Sequence, residues 1–161
     1  MPLEKVVKDF MHPLGHYPYV SEKEPVKKVL KLLSNSKELH APFIIVIRNG
    51  EDGHGTVRGF ISPPEVVFGI AEHFLKGAER IGPIFWEGQL QAECMESFNK
   101  KVKEIMTPFK TCINESEMIL EAVFSFHKHQ INSLPVVREK EVVGIIHLED
   151  ILIGIAETLP E

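Results

Sequence analysis

The chain has 161 residues, 43% hydrophobic and 25% charged, proportions of an ordinary folded protein that exclude a disordered or fibrous chain. Its 18 basic and 23 acidic side chains leave a net charge of −5 spread along the chain, which argues against binding nucleic acid through its phosphates. A chain of this length buries about 70% of its unfolded surface and needs no staple. The cysteines, Cys94 and Cys112, show neither Cys-x-x-Cys nor paired histidine spacing, so no zinc knuckle or disulfide framework is indicated.

No apolar run approaches the roughly 20 residues that span a bilayer. The longest is 43–47, and the first ten residues alternate charge with apolar side chains, unlike a signal peptide. The chain reads as cytoplasmic, with no membrane partner.

In chain order, the first patterned block is Val-Lys-Asp-Phe-Met-His-Pro at 7–13. A short strand at 19–20, a helix at 25–33 and strands at 43–48 and 57–61 follow. The segment 48–56 carries Asn-Gly and Asp-Gly, both hairpin signals. A phosphate-cradling glycine loop would run from a strand into a helix N-terminus, whereas this one runs into a strand. A helix at 63–75 closes the block. Residues 76–101 hold the only tryptophan, Trp86, and read as helical from Gly82-Pro83 to 98. Leu90, Cys94 and Phe98 share a face there, which either adds core or docks a partner.

The second block opens with Val-Lys-Glu-Ile-Met-Thr-Pro at 102–108. A strand at 111–113 precedes a helix at 116–129 with Ile119, Ala122, Val123 and Phe126 on one face. Strands at 134–138 and 142–146 are joined by the tight turn Glu139-Lys140, and a helix at 148–157 ends the pattern. The chain is thus written twice. Blocks 7–13 and 102–108 match at four of seven residues, and 59–72 and 144–157 at six of fourteen. The offset falls from 95 to 85, so the first repeat is longer internally, mostly within 34–56.

The enzyme motifs are missing. His147-x-Glu149 lacks the Pro-Cys-x-x-Cys of zinc deaminases, and there is no His-Glu-x-x-His or Gly-x-Ser-x-Gly. His127 and His129, two apart on a helix, point in different directions and cannot chelate one metal.

The ordered set of Val-Lys-x-x-Met-x-Pro, a helix, Leu134-Pro135-Val136-Val137, Val143-Gly144-Ile145-Ile146 and His147-Leu148-Glu149-Asp150, occurring twice, resembles a tandem CBS (cystathionine-beta-synthase) domain pair. The first repeat departs through its longer loop, through Pro63-Pro64, and through Ala41-Pro42-Phe43 in place of Leu-Pro-Val-Val. The resemblance implies an α+β fold in which two strand-helix-strand-strand-helix repeats pair about a pseudo-twofold axis. Residues 1–75 would be the first motif, 76–100 a helical linker and 101–161 the second motif. It also implies a non-catalytic regulatory module that binds AMP, ADP, ATP or S-adenosylmethionine in clefts between the repeats and signals to a separate effector protein. The alternative is a degenerate pair that serves as a dimerisation scaffold without ligand.

Family sites carry Gly-h-h-Ser/Thr-x-x-Asp, with h apolar. The second repeat reads Gly144-Ile145-Ile146-His147-Leu148-Glu149-Asp150, so Asp150 would accept from ribose hydroxyls, and His147 would replace the hydroxyl facing phosphate. The first repeat reads Gly59-Phe60-Ile61-Ser62-Pro63-Pro64-Glu65. Ser62 and Glu65 there fit a capping box with proline at the first helical position, as well as a nucleotide site. For Asp150, compensation of the helix dipole is the corresponding structural reading. Adenine would rest on Lys110, Thr111, Ser133, Leu134, Pro135 and Ile146, with Tyr19, Phe43 and Ile61 as counterparts. Lys110, His129, Arg138 and Arg58 are the candidate phosphate cations.

The closing helices are apolar nearly all round. Val66, Val67, Phe68, Ile70, Ala71, Phe74 and Leu75 fill the first, and Ile151, Leu152, Ile153, Ile155, Ala156 and Leu159 the second. One face packs on its own sheet and the other needs a cover. A homodimer built on 65–75 and 150–159 is expected. Sedimentation equilibrium across a micromolar concentration series should return twice the chain mass; a constant single-chain mass would refute the dimer.

Overall fold

Two matching blocks, 7–13 and 102–108, decide how the chain divides. The computed structural model describes residues 5–34, 43–49 and 55–160. They form a central unit, Tyr17–Pro108, and a terminal unit that joins Met1–His16 to Phe109–Glu161. Each unit is completed by the Met-x-Pro block that precedes the other repeat. The unit boundaries therefore fall just after each of these blocks, at residues 16/17 and 108/109.

The elements run β1 (His12–Pro13), β2 (Tyr19–Ser21), α1 (Val26–Ser34), β3 (Ile44–Asn49), β4 (Gly55–Ile61), α2 (Pro63–Ile70), α3 (Glu72–Ile81) and α4 (Gln89–Ser97). They continue with α5 (Val102–Ile105), β5 (Thr107–Pro108), β6 (Ile113–Asn114), α6 (Ile119–His129), β7 (Ser133–Arg138), β8 (Glu141–His147) and α7 (Leu148–Ala156). The fold is α+β with two four-stranded sheets. In the central unit the order is β2-β3-β4-β5, and in the terminal unit β6-β7-β8-β1. Both sheets start with a parallel pair bridged by a helix, continue with an antiparallel hairpin, and end on the incoming two-residue strand.

That last strand needs a glycine opposite it. Gly59 pairs with Pro108 and Gly144 with Pro13. A Cβ on Gly59 would overlap the Thr107 carbonyl oxygen, and one on Gly144 would lie 2.5 Å from the His12 carbonyl oxygen and 2.9 Å from Met11 Sδ. A second pair of repeat-related glycines, Gly69 and Gly154, gives room on the closing helices to Ile105 and Phe10. The incoming block then anchors in the core. Val102 joins Val20, Val26, Ile44, Val46 and Ile61 in the central unit, while Val7 joins Ile113, Phe126, Leu134, Val136 and Ile146 in the terminal unit. Both valines are fully buried, each contributing about 1.5–3 kcal/mol.

Several expected boundaries move. The helix expected at 63–75 breaks at Ala71, between α2 and α3. The carbonyls released there are satisfied from the linker: Ser97 Oγ donates to Ile70 O at 3.0 Å and Lys100 Nζ to Gly69 O at 3.2 Å. The linker helix begins only at Gln89, because Gly88 before it is left-handed (φ 81°). Its buried face departs from the expected one at Leu90. Leu90 is 73% exposed, whereas Glu93 and Ser97 are buried and Cys94 packs against the central core. The linker thus caps and covers α2, in line with the extra-core reading. Helix α6 starts at Ile119 instead of 116 because Ser116 folds back on Asn114, donating from N (3.0 Å) and Oγ (2.7 Å) to Oδ1. The expected strand at 111–113 is Ile113–Asn114. The hairpin signals at 50–54 and the Ala41-Pro42 pair lie outside the described residues.

Gly144→Ala should cost about 1–3 kcal/mol by forcing β1 off β8. Gly77→Ala, in α3 with nothing near its would-be Cβ, should instead add about 0.5–1 kcal/mol. Urea unfolding of the two variants checks this contrast; equal stability of Gly144→Ala and the parent would show that the close approach is absent.

Candidate functional site

Each closing helix carries a carboxylate at its third position, and local geometry ties it to the helix start. In the terminal unit the His147 backbone N–H donates to Asp150 Oδ2 at 2.9 Å. In the central unit the Ser62 N–H donates to Glu65 Oε1 at 2.8 Å, and Ser62 Oγ closes a very short hydrogen bond onto the same oxygen. Both carboxylates therefore work as helix caps. The capping reading of Ser62 and Glu65 describes what the chain does there.

The second oxygen of each carboxylate is taken by the incoming Met-x-Pro block. His12 Nε2 lies 2.7 Å from Asp150 Oδ1, and Thr107 Oγ1 donates to Glu65 Oε2 at 3.0 Å. His12 and Thr107 occupy the same place in the repeat, the x of Met-x-Pro. Sequence reasoning missed both as site residues. The signal was present in the matching of 7–13 with 102–108, but their partners lie in the other repeat.

The two sites differ in chemistry. Beside Asp150 stands the His12 imidazole, and the rings of His147 and His16 lie 6.0 and 6.3 Å from that of His12. His147 Nδ1 and Ser133 Oγ are hydrogen-bonded at 2.8 Å. Burial pushes the His147 imidazole below its ordinary value near 6.5, and the charge of His12 pushes the same way against the pull of Asp150 and Glu149. Around Glu65 there are hydroxyls instead of imidazoles. In the same unit Phe43 stacks on Phe60 (centroids 4.7 Å, 13° between planes), and Tyr17 lies 5.3 Å from Phe43.

The remaining expected residues divide by environment. Leu134, Ile146 and Ile61 are core side chains with 0%, 0% and 1% exposure, which leaves only their main chain to offer a ligand. Ser133 and Pro135 are buried, Thr111 is half-buried, and Lys110 and Tyr19 are exposed. The candidate cations Arg138 and Arg58 are committed to carboxylates. Arg138 grips Glu115 with Nε at 2.5 Å and Nη2 at 3.0 Å. Arg58 Nε lies 3.8 Å from buried Glu22, which Arg48 Nε also holds at 2.6 Å. Arg48 lowers the Glu22 carboxyl below its ordinary range, as Arg138 does for Glu115. His129 ends α6, exposed and in its last turn.

A scan for family signatures matches the CBS domain over residues 7–72 and 102–157. The chain belongs to the CBS domain family. A search of curated proteins finds no match. Among solved structures, an uncharacterized conserved protein from Pyrococcus horikoshii is similar at 19% identity, covering 100% of this chain and 99% of that one, with a TM-score of 0.63. CBSX2 in complex with AMP aligns at 20% identity over 96% of this chain and 99% of its own, TM-score 0.65. The CBS domain pair of protein MJ0100, in complex with 5′-methylthioadenosine and S-adenosyl-L-methionine, aligns at 18% identity over 97% and 99%, TM-score 0.62. At these identities the likeness is one of fold. Among the described residues no helix is long and apolar enough to cross a membrane.

Because folding lowers the His147 pKa, the folded chain holds fewer protons there than the unfolded one between the two values. Its stabilising contribution is complete above about 6.5 and is lost as pH falls toward the lower folded value. Urea unfolding near about pH 7.5 and about pH 5.5 should show a larger acid loss in the parent than in His147→Gln. Equal losses would mean that His147 is not buried as described.

Proposed function

We propose that the chain is a regulatory nucleotide-binding module, with an adenosine-containing ligand (AMP, ADP, ATP or S-adenosylmethionine) held at the Asp150 end of the terminal unit. The observation that carries this reading is Asp150 itself. It is a half-buried carboxylate at a helix start, with its oxygens already oriented by the His147 N–H and His12. Each carboxylate oxygen has a second lone pair, so a ribose diol adds to these bonds without breaking them. His12, His16 and His147 are proposed to turn imidazole N–H groups toward a phosphate. Lys110 and Thr111 lie on the segment entering β6 and are proposed to reach the adenine or phosphate. Similar folds solved with AMP, with 5′-methylthioadenosine and with S-adenosyl-L-methionine support this class of ligand.

The Glu65 site is proposed to be the weaker one, since among the described residues Glu65 meets the hydroxyls of Ser62 and Thr107 in place of an imidazole. Output passes to a separate effector through a homodimer on the closing helices, whose Val67, Phe68, Leu152, Ile153 and Ile155 are all exposed by 59% or more. A second reading, a ligand-free scaffold, is favoured by one fact. Both oxygens of Asp150 and of Glu65 already have protein partners.

Thermal unfolding with each of AMP, ADP, ATP and S-adenosylmethionine separates the two. At about a hundredfold excess over Kd, linkage gives about 2.7 kcal/mol, a rise on the order of 5–10 °C. Asp150→Asn should abolish the rise and Glu65→Gln should leave it. No rise with any ligand, from protein shown by its 260 nm absorbance to carry no nucleotide, would favour the scaffold.

A further inference from the structure

Outside the nucleotide site, the break after α2 creates a different cluster in the central unit. His73, in the first turn of α3, and Glu93 and Glu96, three apart on one face of α4, bring ligand atoms within 4.8 Å of one another. His73 Nδ1 is 3.3 Å from Glu93 Oε1. Glu93 is only 8% exposed, and its other oxygen, Oε2, is shut off from solvent with no hydrogen-bond partner among the described residues. A buried carboxylate oxygen without a donor is costly, and two carboxylates three apart on a helix repel each other. One cation between the helices answers both problems.

We propose that His73, Glu93 and Glu96 form a binding site for a divalent transition-metal ion of the zinc type. One imidazole nitrogen and two carboxylate oxygens suit Zn²⁺ with water completing the tetrahedron. Mg²⁺ and Ca²⁺ prefer all-oxygen sets, and Cu⁺ prefers sulfur. Cys94, the thiol on α4, packs on the core instead of joining the cluster. The neighbouring cations Lys76 and Lys100 are engaged by Glu72, so they do not neutralise Glu93. The ion would clip α3 to α4 across 82–88, the segment that presents Ile84, Phe85 and Trp86 to solvent. Neither residue spacing nor hydropathy indicated the site, because its two helices meet only after the turn at Ala71 and the 82–88 segment.

Chelator-treated full-length protein titrated with ZnCl₂ by calorimetry should bind one ion per chain, and CoCl₂ should give a visible absorption band. His73→Ala and Glu96→Gln, both at exposed positions, should weaken Zn²⁺ at least tenfold and remove the cobalt band while leaving the circular dichroism spectrum unchanged. His12→Ala/His16→Ala should bind Zn²⁺ like the parent, which separates this site from the histidines near Asp150. Absence of one-to-one binding in the parent, or binding unchanged in His73→Ala and Glu96→Gln, would overturn the proposal.

Discussion

Two positions without a side chain hold this fold together. Gly59 and Gly144 sit where an incoming strand must come against β4 and β8 more closely than any Cβ allows. Once that approach is made, Val102 and Val7 fill the two cores. The sheet order, the core and the boundaries of the two units all follow from the exchange of the Met-x-Pro blocks.

The candidate site is a product of the same exchange. The strand pairing that sets Pro13 against Gly144 sets His12 against Ile145, three residues before the start of α7, and so beside Asp150. The repeat-related pairing brings Thr107 to Glu65. Fold and site are therefore one arrangement used twice, and the chemistry of the two copies has diverged. Histidines collected around one carboxylate and hydroxyls around the other.

Much of this was legible in the sequence. Identity between 59–72 and 144–157 exposed the repeat, and periodicity placed the helix and hairpin of each block. Gly59, Gly144, Gly69 and Gly154 were visible as repeated letters, and the close approaches they permit explain why glycine stands at each. Asp150, His147, Ser62 and Glu65 were legible as candidates because their spacing is local. His12 and Thr107 were not, since their role exists only after distant strands pair. The exchange itself was hidden for the same reason: local patterns say which element forms, not which repeat it joins. Leu134, Ile146 and Ile61 are expected at the adenine through the family resemblance, and their side chains lie in the core. On the linker helix Cys94 packs on the core as its spacing suggests, whereas hydropathy also favours Leu90, which is exposed, and cannot show that Ser97 is buried through the Ile70 carbonyl.

Hydrogen exchange read by mass spectrometry on the intact chain tests the exchanged architecture most directly. A terminal segment that is not tied down frays and exchanges at once. The account requires residues 5–16 to be protected together with β8, and Gly144→Ala to release both. Rapid exchange of 5–16 beside a well-protected β8 would contradict it.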